Sequence, residues 1–211
     1  MDSHLCLIRH GETDWNLARR MQGHTDIALN ARGRMQARAL ASCLAGEDFV
    51  AIYSSDLQRA WETAQASARV LGLPVTPEPM LRERHYGDFQ GRTYDESRAS
   101  YPDAYARFVA RDPEADFPGG GESLKAFFER VSSALEAIAA RHPAGHVLVV
   151  AHGGVLDMAH RLASALPLAQ KRDFAISNAT VNWLIREPDT WRIETWDDRS
   201  HLDEALDELP G

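Results

Sequence analysis

The chain has 211 residues, 44% of them hydrophobic, with a net charge of -8 and a pI near 5.6. That length suits one domain over residues 1–211 with a sizeable core, and the acidic balance argues against a general affinity for nucleic acid or anionic membrane, which need a basic surface. Any anion must then be held by a local cluster; 21 of the 23 basic residues are Arg, the better fork for an oxyanion, a bias of little weight by itself.

Taken in order, Leu5 to Ile8 is a short apolar run that meets Arg9-His10-Gly11 and then a helix N-cap at Thr13 with Asp14 in the first turn. This strand-turn-helix junction puts Arg9 and His10 at the carboxyl end of a parallel strand, where open α/β sheets bind ligands. Arg20 to Leu29 reads as a polar loop, and Asn30 as the N-cap of a helix reaching about Leu44, with Met35, Ala39, Leu40 and Leu44 at helical spacing. Phe49 to Tyr53 is a second strand, stopped by Ser54-Ser55-Asp56. The helix after it runs from about Leu57 to Leu71 and ends at Gly72 and Pro74. Arg59 therefore sits in the first turn of a helix just after a strand.

Val75 to Pro79 is a brief strand, Leu81 to Gly91 an irregular polar stretch, and Thr93 to Ala110 a helix despite Pro102. Asp112 to Gly121 is a Pro/Gly-rich connection, so 92–121 is either a small helical cap insertion over the strand ends or a surface excursion. Glu122 to Arg141 is helical, and Val147 to Ala151 is the clearest strand, delivering His152-Gly153-Gly154 into another helix. Ala175 to Ile185 and Trp191 to Trp196 are expected as closing antiparallel strands, with an acidic tail from His201 onward. The fold class is α/β with a mostly parallel sheet. Cys6 and Cys43, the only cysteines, read as reduced packing residues. No signal-like apolar stretch and no run of ~18 apolar residues appears, so a cytoplasmic protein is expected. No coiled-coil heptads appear, which leaves the oligomeric state open.

Three junctions supply Arg9, His10, Arg59 and His152, and the polar loop adds Glu83. Two guanidiniums with two imidazoles make a pocket for a doubly charged oxyanion such as phosphate. A neutral imidazole can attack phosphorus to give a phosphohistidine, and a carboxylic acid can protonate the leaving oxygen, with no metal required. Glu12 and Asp88 are alternative acids. Two histidines and a carboxylate are also a zinc-binding set.

Five ordered motifs, L-I-R-H-G-E-T, S-S-D-L-Q-R-A, L-R-E-R-H-Y-G-D-F-Q-G, G-G-G-E-S and V-V-A-H-G-G, resemble the histidine phosphatase, or phosphoglycerate-mutase-like, superfamily over nearly the whole chain. The resemblance implies a three-layer α/β/α sandwich and outweighs the zinc reading. It implies His10 as nucleophile, His152 as second imidazole, Arg9 and Arg59 as phosphate clamps and Glu83 as proton donor and acceptor. Asn16 and the backbone around Gly153 fall where the family completes the phosphate pocket, and Gln22-Gly23 where it touches substrate.

Within that family the E-R-H-Y-G and Q-G pattern resembles the mutases, in which Glu83 and Tyr86 would face a phosphoglycerate. The lysine those enzymes carry after the Gly is absent here, where Gly91 is followed by Arg92, Thr93 and Tyr94, although Arg92 is a candidate replacement. R-M-Q-G-H and G-G-G-E-S-L resemble the phosphatases more. The favoured reading is a phosphomonoesterase acting on a small phosphate ester without cofactor. The alternative is a phosphoglycerate mutase dependent on 2,3-bisphosphoglycerate, and a catalytically silent phosphate-ligand or protein-binding module ranks below both.

Overall fold

Strand β1 (Ser3–Arg9) is the hub of a six-stranded sheet, and its unbroken apolar run follows from burial on both faces. The computed structural model describes residues 2–202. The strand order is β3-β2-β4-β1-β5-β6, with β2 at Phe49–Ser54, β3 at Val75–Pro77, β4 at His146–Ala151, β5 at Val181–Arg186 and β6 at Trp191–Asp198. β1 runs parallel to β4, β4 to β2 and β2 to β3, while β5 is antiparallel to β1 and to β6. Both neighbours of β1 come from the second half of the chain: Leu5 pairs with Val147 on one side and Leu184 on the other.

Side-chain alternation along β1 separates the two helical layers. Leu5 and Leu7 pack with Phe127, Val131 and Leu135 of α6 (Leu124–Arg141) and with Val155 and Leu156 of α7 (Gly153–Ser164). Cys6 and Ile8 pack with Leu40 of α2 (Ala31–Cys43) and with Ala60, Ala64 and Ala68 of α3 (Gln58–Leu71). The result is the expected three-layer α/β/α sandwich. A short α1 (Asp14–Leu17) opens at Thr13 through a capping box with Asn16, and Asn30 caps α2 by accepting from Gly33 N–H.

Three expectations need correction. The helix expected over Thr93 to Ala110 is two helices, α4 (Tyr94–Ser100) and α5 (Pro102–Val109). Pro102 lacks an N–H and forces Tyr101 out of helical geometry, to φ -140° and ψ 63°. The closing strand begins at Val181 rather than Ala175, because 175–180 turns back toward the end of β1: Ala179, with φ +57°, donates its N–H to Arg9 O at 2.8 Å. Cys6 is buried as expected, but Cys43 is exposed at the end of α2. The acidic tail lies outside the described residues from 203 onward.

Around α4 and α5 an aromatic group gathers on Phe89, which is fully buried and meets Phe117 edge-on at 4.9 Å between centroids. Tyr86, Tyr101, Tyr105 and Phe108 pack around it. Edge-to-face pairs of this kind add ~0.5–1.5 kcal/mol each beyond their buried area.

Candidate active site

Because β1 and β4 are parallel neighbours with Arg9 opposite Ala151, the residues that follow them arrive side by side. His10 N–H donates to Ala151 O at 3.0 Å, and the rings of His10 and His152 lie 5.2 Å apart between centroids. His10 Nδ1 is 2.7 Å from Gly11 O. A carbonyl only accepts, so the proton sits on Nδ1 and Nε2 carries the free lone pair. Burial, then the charges of Arg59 and Arg9, push His10 well below the usual histidine range and keep it neutral. His152 is held by Ser55, whose Oγ is 2.8 Å from its Nε2, and the same influences, burial first, keep it neutral too.

Both arginines are placed by the junctions expected from the sequence. Arg9, at the end of β1, donates from Nη1 to Ile176 O at 2.7 Å. Arg59, in the first turn of α3, is fully buried and donates to Gly23 O at 2.8 Å and Thr25 O at 3.0 Å. Burial lowers its pKa to about 10 against the opposing pull of Glu83. Among the described residues neither arginine forms an ion pair, and the Nε of each is buried without a hydrogen-bond acceptor, as is His152 Nδ1. Buried cations left like this are costly unless an anion arrives to share them.

Of the three candidate acids, Glu83 is the one brought to this crevice. Its Oε2 accepts Gly154 N–H at 3.0 Å in the first turn of α7, and its Oε1 accepts Arg84 N–H at 2.8 Å. A Cβ on Gly154 would lie 2.1 Å from Glu83 Oε1, so only glycine admits the carboxylate there. Glu12 instead accepts from Asn30 Nδ2 at 2.9 Å, and Asp88 from the Tyr101 hydroxyl at 3.1 Å.

The remaining predicted residues divide. Asn16 spends its Oδ1 on Thr13 N–H and Oγ–H, so of its amide only Nδ2 remains to donate elsewhere. Gly153 opens α7, where the first N–H groups have no intrahelical acceptor. Gln22 is buried with Oε1 unpartnered, and Gly23 gives its carbonyl to Arg59. Tyr86 lies edge-on to Phe117, and burial, then Glu83, push its hydroxyl well above its ordinary value. Arg92 is bound beside α4: Nε donates to Asp88 O, Nη1 to Ser100 Oγ, and the guanidinium lies over the Tyr101 ring.

Several contributors carry no local sequence signal for this role. Ser55, read only as a strand stop, orients His152. Asn178 donates from Nδ2 to His10 O at 2.8 Å, and Thr63 accepts Gly11 N–H at 3.1 Å while donating to Arg59 O at 2.8 Å, joining two junctions. His24 donates from Nε2 to Glu83 O at 2.8 Å.

A sequence model of the histidine phosphatase superfamily (branch 1) matches residues 5–199. The chain belongs to this superfamily. Among curated relatives of this histidine phosphatase, phosphoglycerate mutase-like protein 4 of Arabidopsis thaliana is 43% identical, over 95% of this chain and 87% of that protein. A metal-independent phosphoserine phosphatase from the same plant is 41% identical, over 94% and 82%. The solved structure of mycobacterial glucosyl-3-phosphoglycerate phosphatase superposes with a TM-score of 0.83 at 32% identity, covering 94% of this chain and all of that one. In this histidine phosphatase no group of three or more His, Cys, Asp or Glu is arranged to hold a metal ion among the described residues. Nor is any described helix long and apolar enough to cross a membrane.

Proposed function

We propose that this histidine phosphatase hydrolyses phosphomonoesters of small metabolites through a phosphohistidine on His10. The observation that carries the reading is a neutral imidazole with its Nε2 lone pair free, set beside two guanidiniums whose Nε atoms are buried without an acceptor and which have no ion-pair partner among the described residues. His10 Nε2 attacks phosphorus, and the bond to the ester oxygen breaks. Glu83 gives that oxygen its proton. Water then enters, Glu83 takes its proton, the new P–O bond forms, and His10 leaves as inorganic phosphate departs. Arg9, Arg59, His152, the Asn16 amide and the Gly153 N–H hold the three non-bridging oxygens. Removing one preorganised donor of this kind raises the barrier by ~2.7–4 kcal/mol.

The anchoring of Arg92 to Asp88 and Ser100 favours hydrolysis over mutase chemistry, since the one candidate for the missing lysine is already engaged. Residues 92–121 form the cap over the leaving group, and Gln22, Gly23 and Tyr86 line its inner side. The reaction runs without a metal ion, a reading supported by the likeness to a metal-independent phosphoserine phosphatase.

The test is release of inorganic phosphate from a panel of phosphoserine, phosphoglycerates and sugar phosphates in chelator. It is run beside 3- to 2-phosphoglycerate isomerisation primed with 2,3-bisphosphoglycerate. Fast hydrolysis with negligible isomerisation is expected. Fast isomerisation with slow hydrolysis would make the protein a mutase, and neither activity would make it a silent module.

A further inference from the structure

Glu83 stands on a stretch of backbone that no helix or strand holds: residues 83–86 have no regular secondary structure. Its main-chain polar groups must be satisfied some other way, and one side chain of α6 ties down the segment that leads into it. Arg130 donates from Nη1 to Met80 O at 2.6 Å and Arg82 O at 3.0 Å, and from Nη2 to Glu83 O at 3.3 Å. Its own fork is fixed by Glu122, Nε to Oε1 at 2.7 Å and Nη2 to Oε2 at 2.8 Å, and its plane rests on the Phe127 ring at 5.0 Å.

The same Glu122 grips the far side of the stretch. Its Oε2 accepts His85 N–H at 2.8 Å, and its main-chain O accepts Arg84 Nε at 3.0 Å. Backbone on both sides of Glu83 is thus tied to one ion pair, half-buried and bidentate. His24, from the loop that holds Arg59, donates to the Glu83 carbonyl from another side.

We propose that Arg130, locked by Glu122, is the positioning residue for Glu83, fixing the acid's backbone so that its carboxylate meets the leaving oxygen. The inference rests on Glu83 being the general acid. Arg130 touches only the carbonyl of Glu83, so it acts on where the acid stands and takes no part in proton transfer itself. An arginine is required because a lysine has no planar fork with which to hold Glu122 and three carbonyls at once.

Misplacement by about 1 Å can cost ~100-fold, and only esters that need the proton feel it. The experiment compares kcat/KM for an alkyl phosphate with kcat/KM for p-nitrophenyl phosphate, whose leaving group needs little protonation. It uses the wild type, Glu83→Gln, Arg130→Lys, Glu122→Gln and the double variant Glu83→Gln/Arg130→Lys. Arg130→Lys and Glu122→Gln are expected to slow the alkyl ester by ~10- to 100-fold and the aryl ester by under ~3-fold. The Arg130→Lys loss is expected to vanish in the Glu83→Gln background, as two members of one functional unit require.

A general weakening of the fold would slow both esters alike and would add to Glu83→Gln, and that result overturns the proposal. Melting curves of each variant identify such weakening directly. If Glu83→Gln itself slows both esters equally, it is the acid assignment that fails. If Glu83→Gln is selective and Arg130→Lys is not, the positioning role alone fails.

Discussion

His10 and His152 lie 5.2 Å apart at the ends of adjacent parallel strands, yet a backbone carbonyl fixes the tautomer of His10 alone. The partner of His152 is the hydroxyl of Ser55, which can donate or accept. The two rings are therefore built for unequal tasks. One presents a fixed lone pair, and the other can hold a proton or give it to a phosphoryl oxygen.

His10→Ala is expected to lower kcat/KM by at least ~1,000-fold and to abolish the phosphoenzyme, since it removes the imidazole whose lone pair is held ready for phosphorus. His152→Ala is expected to lose ~100- to 1,000-fold while still forming it, because it removes a stabilising donor rather than the nucleophile. Alkaline rapid-quench trapping of labelled phosphoenzyme separates the two. Trapping in the His10 variant would place the nucleophile elsewhere.

Ser55→Ala is expected to cost roughly 10-fold in kcat/KM by freeing the His152 ring, in the range typical of groups that orient a functional side chain. The affinity for orthovanadate should fall with it, whereas the melting temperature should hardly move. A loss of stability with unchanged vanadate affinity would make Ser55 a packing residue instead.

Gly154→Ala pushes a methyl into the place of Glu83 Oε1, so it is expected to reproduce the Glu83→Gln phenotype, with alkyl esters slowed more than aryl esters. The measurement is the ratio of the two kcat/KM values. An unchanged ratio would mean that the carboxylate works from another position.

Acid pH should act on stability through the same two imidazoles. Both have folded-state pKa values well below the ordinary 6.5, so between those values the unfolded chain binds protons that the native one refuses. Stability is then full above pH 6.5 and declines as pH falls toward the folded pKa, by ~1.4 kcal/mol per pH unit for each histidine. Urea midpoints from pH 7.5 to 5 test this. His10→Ala should flatten the decline by the share of one group, and an unchanged slope would mean that His10 titrates normally in the native state.

Much of the site was legible because its main pieces are local. Arg9-His10 and His152 stand at the ends of apolar strands, and Arg59 lies in the first turn of the helix that follows another, so strand position brings them together. Glu83 was less so, since three acids competed and the choice depends on which one reaches the first turn of α7. Ser55, Thr63 and Asn178 escaped because their roles exist only through contacts 52 to 168 residues apart in sequence. The break at Pro102 was visible and read through, whereas the late start of β5 was not, because the bend at 175–180 serves the end of β1 rather than any local preference.

The pairing of β1 has a consequence for how this molecule comes into being. His10, the proposed nucleophile, is made well before the strands that flank β1, at 146–151 and 181–186. During most of synthesis Leu5 to Ile8 is an apolar ribbon with neither edge paired, the state in which nascent chains aggregate or recruit chaperones. Loop closures of this length also make folding slow. The crevice that gathers Arg9, His10 and His152 therefore exists only once the sheet has closed around β1.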